Sequence, residues 1–407
     1  MLTLEPALRP RSSRGQFAIA LAGGGPLGAF YELGALHAIQ EAITGRDLTD
    51  FDMYVGVSSG SLLAASLANG FDTTRMGAVL IEGESALVPF SPRVLLQPAV
   101  GPYVRRVARL PKAMLNGTKQ WLEEPARGVW PAALGVLSTL IPLAALDNGP
   151  LEDYLRALFA TAHHTDDFRR LRAQLRIVAT DLDTGRAAVF GDARHAAIAI
   201  SRAVIASAAL PGLYAPVEIG GRHYVDGALV RTMYASLALE AGCDFVICIN
   251  PLVPFDASRS KPRRRLAEEG LDMLLGQTFR TLIHSRMQVG MATFRKRFPH
   301  ADTVLFEPDG TDATMFFTSV FRYGGRHTLA EHAYQCTRRD LRAQIGPFAT
   351  LLHRHGLDLD RRCLHDRQRT FSTAFHERAA RARATTRHLT EALSGLERVL
   401  AHRYTRP

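Results

Sequence analysis

The 407-residue chain is long enough for one large domain or two ordinary ones, and its 47% hydrophobic composition predicts a globular protein with a buried core. Its formal net charge of +10 favours an anionic partner, such as a lipid surface, a nucleic acid or an acidic protein. The four cysteines lack C-x-x-C spacing, so neither a zinc site nor a disulfide framework is indicated. We expect buried thiols in a reducing compartment.

The first residues contain an acid, prolines and arginines, but no apolar run of the kind that a secretory signal peptide needs. We therefore expect residues 1–16 to form an N-terminal tail, and the protein to be cytoplasmic without a signal peptide.

A strand–turn–helix unit follows the tail. The run "FAIALA" at residues 17–22 predicts a buried strand, and apolar residues after position 30 recur at helical spacing. Between the two stand Gly23, Gly25 and Gly28 in a G-x-G-x-x-G pattern. Those letters fit a dinucleotide-binding turn, and they equally fit a loop that holds an oxyanion.

A second unit contains a candidate nucleophile. Residues 53–57 predict a strand, and the small residues up to Gly70 predict a helix. Between them a G-x-S-x-G pattern places Ser58 between Gly56 and Gly60. A sharp strand-to-helix turn exposes such a serine hydroxyl, and the flanking glycines remove Cβ atoms that would clash in the bend.

The second strand also decides between the two interpretations of the first loop. A dinucleotide-binding fold needs an acidic residue at the end of this strand to hold the ribose, but here the strand ends in the serine turn. The nearby acids Asp47, Asp50 and Asp52 lie before the strand or at its start. We therefore predict that amides of residues 23–25 serve Ser58 at a helix N-terminus, where the helix dipole favours an oxyanion.

Residues 86–147 form a proline-rich apolar insert. Within it, residues 128–146 carry no charge and are just long enough to span a bilayer, although Pro131 and Pro142 weaken that interpretation. The alternatives are a lid or membrane-touching hairpin, and ordinary core packing.

Strands and helices then alternate up to about residue 253, which predicts a mainly parallel sheet covered by helices on both faces. In "HYVDGAL", Asp226 ends one strand and Gly227 permits a tight turn, so Asp226 is the strongest candidate for the base that a serine nucleophile needs. Asp181 and Asp183 indicate another strand-end turn near the site. Four histidines are weaker candidates for a triad, each more typical of a surface or satisfied side chain: His223, His284, His327 and His332.

After Pro254 the pattern becomes helical. An apolar stripe over residues 271–294, bordered by arginines, predicts a helix that packs on the sheet and keeps a basic face in solvent. Leucines near the C-terminus predict a helix that docks, pairs in a homo-oligomer or lies on a surface: Leu389, Leu393, Leu396 and Leu400. The expected domains are thus a catalytic domain at 17–255 and a helical C-terminal region at 256–407.

Three motifs in this order, "GGGPLG", "GVSSG" and "VDGAL", resemble those of the patatin-like phospholipases. The stretches "ATDLDTGRAAVFG" and residues 206–230 are similar to that family as well. The resemblance covers about residues 17–250, apart from the insert. It implies an α/β three-layer sandwich with a mainly parallel central sheet flanked by helices, to which this chain adds a largely helical C-terminal region.

For the site, the resemblance implies a Ser-Asp dyad. Ser58 is then the nucleophile, Asp226 the general base, Gly56 and Gly60 the elbow glycines, and the oxyanion loop is Gly23, Gly24, Gly25 and Gly28. No cofactor and no metal are expected. Two positions depart from the common family pattern, because Leu27 stands where many members carry a basic residue and Pro26 has no N–H. Whether phospholipids are preferred over other esters is therefore open.

The expected activity is hydrolysis of lipid acyl esters, foremost phospholipids, by an enzyme in peripheral contact with an anionic membrane. One alternative is another ester, such as a neutral lipid, a thioester or polyhydroxyalkanoate. A second alternative is a catalytically inactive lipid-binding or scaffold protein. No nucleic acid partner is expected, because the arginines are dispersed and lack an interleaved aromatic motif.

Overall fold

The computed structural model describes residues 1–9, 15–83, 88, 90–91, 93–99, 144–260, 265–317 and 323–373. Within them the strands are β1 (Leu2–Glu5), β2 (Gln16–Leu21), β3 (Ile43–Thr44), β4 (Met53–Val57), β5 (Ala144–Leu146), β6 (Gln174–Asp181), β7 (Arg186–Phe190), β8 (Gly212–Tyr214), β9 (Val217–Ile219), β10 (Arg222–Asp226), β11 (Cys243–Ile249), β12 (Asp302–Phe306) and β13 (Asp358–Leu359). The α-helices are α1 (Gly25–Ala42), α2 (Ser59–Ala68), α3 (Thr73–Gly77), α4 (Arg93–Leu96), α5 (Gly149–Phe159), α6 (Ile200–Ser207), α7 (Ala235–Glu240), α8 (Leu271–Arg297), α9 (Ala313–Phe317), α10 (Arg326–Ala343), α11 (Ile345–Arg354) and α12 (Arg361–His365).

The central sheet has nine strands, in the order β1-β12-β11-β2-β4-β6-β10-β9, with β7 also paired to β6. The five middle strands, from β12 to β6, are parallel to one another. Antiparallel pairs occur towards both edges, where β1 joins β12 and where β10 and β7 join β6. The predicted α/β fold with a mainly parallel central sheet is therefore confirmed.

Helices cover both faces of this sheet, as the side chains of β2 show. Phe17, Ile19 and Leu21 belong to one apolar cluster, which they share with α1, α2, α6 and α10. The alternate residues Ala18 and Ala20 point into a second cluster, shared with α7 and α8. Because successive side chains of a strand face opposite ways, the two clusters lie on opposite sides and the fold has three layers.

The sheet crosses both expected domain boundaries. β1 comes from the stretch expected to be a tail, and β12 comes from the region expected to be helical after residue 255. The apolar run of β12, "DTVLF", is fully buried between β11 and β1. Residues 16 and 255 therefore do not separate independently packed units, although most of the described chain beyond 255 is helical, as expected.

Two sequence features fall largely outside the described residues. Of the uncharged stretch 128–146, only Ala144–Leu146 is described, and it forms β5 beside β8. The leucines at 389–400 lie outside altogether, so their role in a homo-oligomer stays a prediction. No helix among the described residues is long and apolar enough to cross a membrane.

Candidate active site

Ser58 occupies a strained turn between the end of β4 and the start of α2. Its φ of 51° and ψ of −125° lie outside the regions that ordinary residues favour, a strain of about 1–3 kcal/mol that the surrounding structure must offset. The flanking glycines permit close approach: a Cβ at Gly56 would lie 2.5 Å from the Ser61 Cα, and one at Gly60 would lie 2.5 Å from the Ala22 carbonyl oxygen. The local sequence therefore folds into an elbow that presents the Ser58 hydroxyl.

Asp226 reaches Ser58 because β4 and β10 pair with the same edge of β6, with the pairing to β10 beginning where the pairing to β4 ends. β4 pairs with β6 up to Val178, and β10 pairs with β6 from Ala179 onward. β7 overlaps both registers, so it lies along the other edge of β6. The end of β10 is thereby brought to the elbow, and the Ser58 Oγ donates a hydrogen bond of 2.5 Å to Asp226 Oδ2.

The Asp226 carboxylate is buried and hydrogen-bonded. The residue is only 3% exposed, and the second carboxylate oxygen, Oδ1, accepts a 2.8 Å hydrogen bond from the Ala228 amide. Burial raises the pKa of Asp226 to about 6, while the hydrogen bonds from Ser58 and Ala228 act in the opposite direction. The group is therefore mostly ionised at neutral pH and able to accept a proton.

Ser207, at the end of α6, holds the elbow in place through hydrogen bonds, and no sequence motif predicts this contact. Its hydroxyl accepts a 2.8 Å bond from the Ser58 amide and donates a 2.6 Å bond to the Val178 carbonyl. It thus joins the strained residue to β6, the strand with which β10 and its Asp226 pair. A serine among the alanines of "AVIASAA" has no distinctive pattern, so only the fold reveals this contact.

The glycine loop lies directly over Ser58. A Cβ at Gly23 would be 3.0 Å from the Ser58 Cβ, and one at Gly24 would be 2.6 Å from the Pro251 Cγ. The Gly23 amide already donates to the Thr232 carbonyl, and the Gly28 amide donates to the Gly24 carbonyl within the first turn of α1.

Two amides of this loop are available to a hydrogen-bond acceptor in the site. The N–H groups of Gly24 and Gly25 form no hydrogen bond to any described residue. Gly25 has a φ of 62°, a left-handed conformation that favours glycine, and it starts α1. The loop therefore offers free amides at a helix N-terminus, whose dipole favours negative charge.

A cavity of about 350 Å³ adjoins Ser58, Asp226 and the glycine loop. Of the described residues that line it, Asp226 alone is charged. The apolar side chains include Phe30, Leu62, Leu80, Phe90, Leu151 and Leu213. Such a lining suits a hydrocarbon chain and offers no cluster of metal or cofactor ligands among the described residues.

The other titratable candidates lie away from this cavity. None of His223, His284, His327 and His332 is among its described lining residues. His332 instead contacts Asp312, and His284 lies 3.6 Å from Glu307. Asp181 accepts bonds from Arg222 and from the amides of its own turn, and the Arg222 guanidinium lowers its pKa.

The fold and site define an α/β protein in which a serine on a strand–helix elbow donates a hydrogen bond directly to an aspartate. The chain matches the family model "Patatin-like phospholipase" over residues 19–239, and it belongs to this family. The resemblance seen in the three motifs is thus confirmed. Membership of this family supports a lipid hydrolase.

Two solved structures are similar to this chain. VipD from Legionella pneumophila has a TM-score of 0.37 and 15% identity, with 81% of this chain and 67% of that chain covered. The type III effector protein ExoU has a TM-score of 0.35 and 17% identity, with 82% of this chain and 53% of that chain covered. The present chain thus spans only about half the length of ExoU.

Proposed function

We propose that the protein is a serine acyl hydrolase that cleaves lipid acyl esters with a Ser58–Asp226 dyad. The observation that carries the proposal is the 2.5 Å hydrogen bond between the Ser58 hydroxyl and a buried carboxylate whose pKa is about 6. A serine hydroxyl is a poor nucleophile until a base removes its proton. Asp226 is in position to do so without a histidine.

In the first half of the reaction, Asp226 takes the Ser58 proton while Oγ attacks the ester carbonyl carbon. The amides of Gly24 and Gly25 stabilise the resulting oxyanion. The intermediate then collapses, the leaving alcohol takes the proton from Asp226, and an acyl group stays on Ser58. In the second half, water gives a proton to Asp226 and attacks the acyl carbon. Collapse returns this proton to Ser58 and releases the fatty acid.

The cavity favours an acyl chain as the group bound beside Ser58. Its described lining is apolar apart from the dyad and a few small polar groups. The transfer of an extended hydrocarbon chain from a lipid phase into this cavity therefore costs little free energy. A charged head group finds no cation among the described lining residues and is therefore expected to lie outside the cavity.

A non-phospholipid ester is the second candidate, and one observation favours it. Leu27, which stands where many family members carry a basic residue, is 4% exposed and packs in the core of the first apolar cluster. The loop thus provides no positive side chain for a phosphate. Neutral lipids, thioesters and polyhydroxyalkanoate are the alternatives, and parallel assays on mixed micelles and on polymer granules distinguish them.

Peripheral contact with an anionic membrane is part of the proposal. α8 reaches the cavity through Phe279, while Leu275, Leu282 and Val289 on the same helix are 59%, 59% and 68% exposed. The helix ends in Arg295, Lys296 and Arg297, which complement anionic lipid. We expect sedimentation with anionic vesicles, weaker sedimentation with zwitterionic ones, and reduced binding of a Leu282→Glu variant.

The dyad is tested with a fluorophosphonate probe, which labels an activated serine, and with hydrolysis of short and long acyl esters. We expect Ser58→Ala to lose labelling and turnover, and Asp226→Asn to lose about 10²- to 10⁴-fold in kcat. Ser59→Ala is the matched control, because the neighbouring Ser59 hydroxyl also lies at the cavity but makes no hydrogen bond to a described residue. If wild-type protein neither labels nor turns over any ester yet binds vesicles, the lipid-binding alternative replaces the enzyme.

A further inference from the structure

A second group of reactive side chains lies between α9 and α10. It consists of Asp312, His332 and Cys336, and no member lines the cavity beside Ser58. Asp312 precedes α9 and accepts a 3.0 Å bond from the Met315 amide through Oδ1, which leaves Oδ2 to face α10. His332 and Cys336 are four residues apart on α10 and so lie on one face of that helix.

The three donor atoms converge on one point. Asp312 Oδ2 lies 2.6 Å from His332 Nε2, and Cys336 Sγ lies 3.6 Å from the same nitrogen. A thiol activated by a histidine and oriented by an aspartate would instead use the two ring nitrogens separately. The arrangement therefore does not fit a Cys-His-Asp nucleophile. Atoms gathered around a single centre, all within 4.8 Å of one another, fit a cation site.

We propose that Asp312, His332 and Cys336 form a zinc site with three protein ligands. Thiolate sulfur, imidazole nitrogen and carboxylate oxygen are all zinc ligands, and usual Zn–S and Zn–N lengths place tetrahedral neighbours about 3.5 Å apart. The sulfur–nitrogen distance of 3.6 Å agrees with this spacing. The carboxylate oxygen has to move away from the ring by less than about 1 Å to reach the same spacing.

Binding replaces protons with the ion. His332 gives up the Nε2 proton that it shares with Asp312, Cys336 gives up its thiol proton, and both protons go to solvent as Zn²⁺ enters. The side chain of His332 is 28% exposed, which provides a route from solvent, and water completes the fourth position. The sequence does not reveal the site, since Asp312 and His332 are 20 residues apart and match no metal-binding spacing.

The ion is expected to stabilise the packing of two helices and not to take part in ester hydrolysis. α9 carries Phe316, whose ring stacks on Phe255 with centroids 5.0 Å apart. α10 packs closely on α1, the helix that begins at the glycine loop. A metal bridge between α9 and α10 therefore holds the C-terminal region against the sheet layer.

The test is a titration of the full-length, metal-free protein with Co²⁺, which reports thiolate ligation by a sulfur-to-metal absorption band. We expect one Co²⁺ per chain with this band, displacement by Zn²⁺, and a higher Tm with Zn²⁺. Cys336→Ser should lose the band and the rise in Tm, whereas Cys363→Ser, which alters the partly exposed cysteine of α12, should keep both. His332→Gln should also weaken Co²⁺ binding, and it is the variant to use if Cys336→Ser does not fold.

The proposal is overturned if wild-type protein shows no thiolate band, or if the band persists in Cys336→Ser. Loss of the band in Cys363→Ser would equally overturn it, by moving the ligand to another cysteine. These outcomes do not depend on ester hydrolysis, because the readouts are absorption and Tm.

Discussion

Asp226 combines two properties that usually oppose each other, since it is buried and must be charged to accept a proton. Its burial raises the pKa to about 6, and the Ser58 hydroxyl and the Ala228 amide limit that rise. A carboxylate with this pKa is ionised at neutral pH and is also a stronger base than an exposed aspartate. In the proposed reaction, the apolar surroundings that bind the acyl chain therefore also raise the pKa of the base.

The rate of ester hydrolysis is expected to fall in acid with a midpoint near pH 6, because Asp226 has a pKa of about 6. Below this midpoint a protonated Asp226 cannot accept the Ser58 proton, so kcat/KM falls about tenfold per pH unit, and above it the rate is level. The measurement is a pH–rate profile on a soluble short-chain ester, with circular dichroism at each pH to identify unfolding. A midpoint near 3.8, the ordinary value for aspartate, would contradict a buried base.

Ser207→Ala is expected to lower kcat and leave KM almost unchanged. The variant removes the hydroxyl that accepts from the Ser58 amide, so the strained elbow can relax and shift the nucleophile. A displacement of this kind costs roughly 10- to 100-fold in rate. Steady-state kinetics on a short-chain ester measure the effect.

The control for Ser207 is Ser66→Ala in α2, where the hydroxyl bonds to no described group other than the Leu62 carbonyl of the same helix. It should retain wild-type kcat. Equal kcat values for Ser207→Ala and Ser66→Ala would show that Ser207 does not position the nucleophile.

The residues of the site differ in how far the sequence predicts them. Ser58 and Asp226 stand in motifs whose glycines report tight turns, so their positions at strand ends follow from local sequence. Ser207 contacts the elbow through one side-chain hydrogen bond, which no local sequence pattern predicts. Gly23 and Gly28 look the same as Gly24 and Gly25 in sequence, yet their amides are already bonded in the fold.

At the level of elements, local pattern predicts which segments are strands or helices better than it predicts how they pair. The strand at 53–57 and the long helix after residue 270 follow from apolar spacing and are present. The sequence does not predict that β10 pairs antiparallel with β6. The direction of a strand depends on how the chain returns to the sheet, which the apolar pattern of the strand itself does not record. That direction is what brings Asp226 to Ser58.

The contact between α1 and α10 depends on a single glycine. A Cβ at Gly34 would lie 2.2 Å from the Ala330 carbonyl oxygen, so the two backbones could not approach as closely. We expect Gly34→Ala to reduce the free energy of unfolding by about 1–3 kcal/mol, the usual cost of overpacking. Urea unfolding measures the change.

Gly276→Ala provides the matched control in another helix. A Cβ at Gly276 of α8 meets nothing within 4 Å, so alanine there should stabilise the protein by up to about 1 kcal/mol through helix propensity. If Gly34→Ala were as stable as Gly276→Ala, the close contact of α1 with α10 would be ruled out.

Over the whole molecule, strand order and chain order differ, so the central sheet continues past the expected boundary at residue 255. The sequence predicts helices beyond residue 255 because long apolar stripes dominate that region, while β12 is a run of five residues between them. β12 nevertheless pairs with β11 from Asp302 to Phe306. Its Asp302, 1% exposed, also binds Arg354 and His355 of the C-terminal segment, so sheet and C-terminal helices share one structure.

A chain cut after residue 255 is therefore expected not to fold. Without β12, the backbone groups of β11 from Phe245 to Ile249 lose their partners on one side, and the apolar residues beneath them are exposed. The fragment 1–255 should be aggregated or unfolded by circular dichroism and should not label with the fluorophosphonate probe at Ser58. Addition of fragment 256–407 during refolding should restore labelling, since it supplies β12 to the open edge of the sheet. A folded, monomeric and probe-reactive 1–255 fragment would instead show that the catalytic domain ends where the sequence places its boundary.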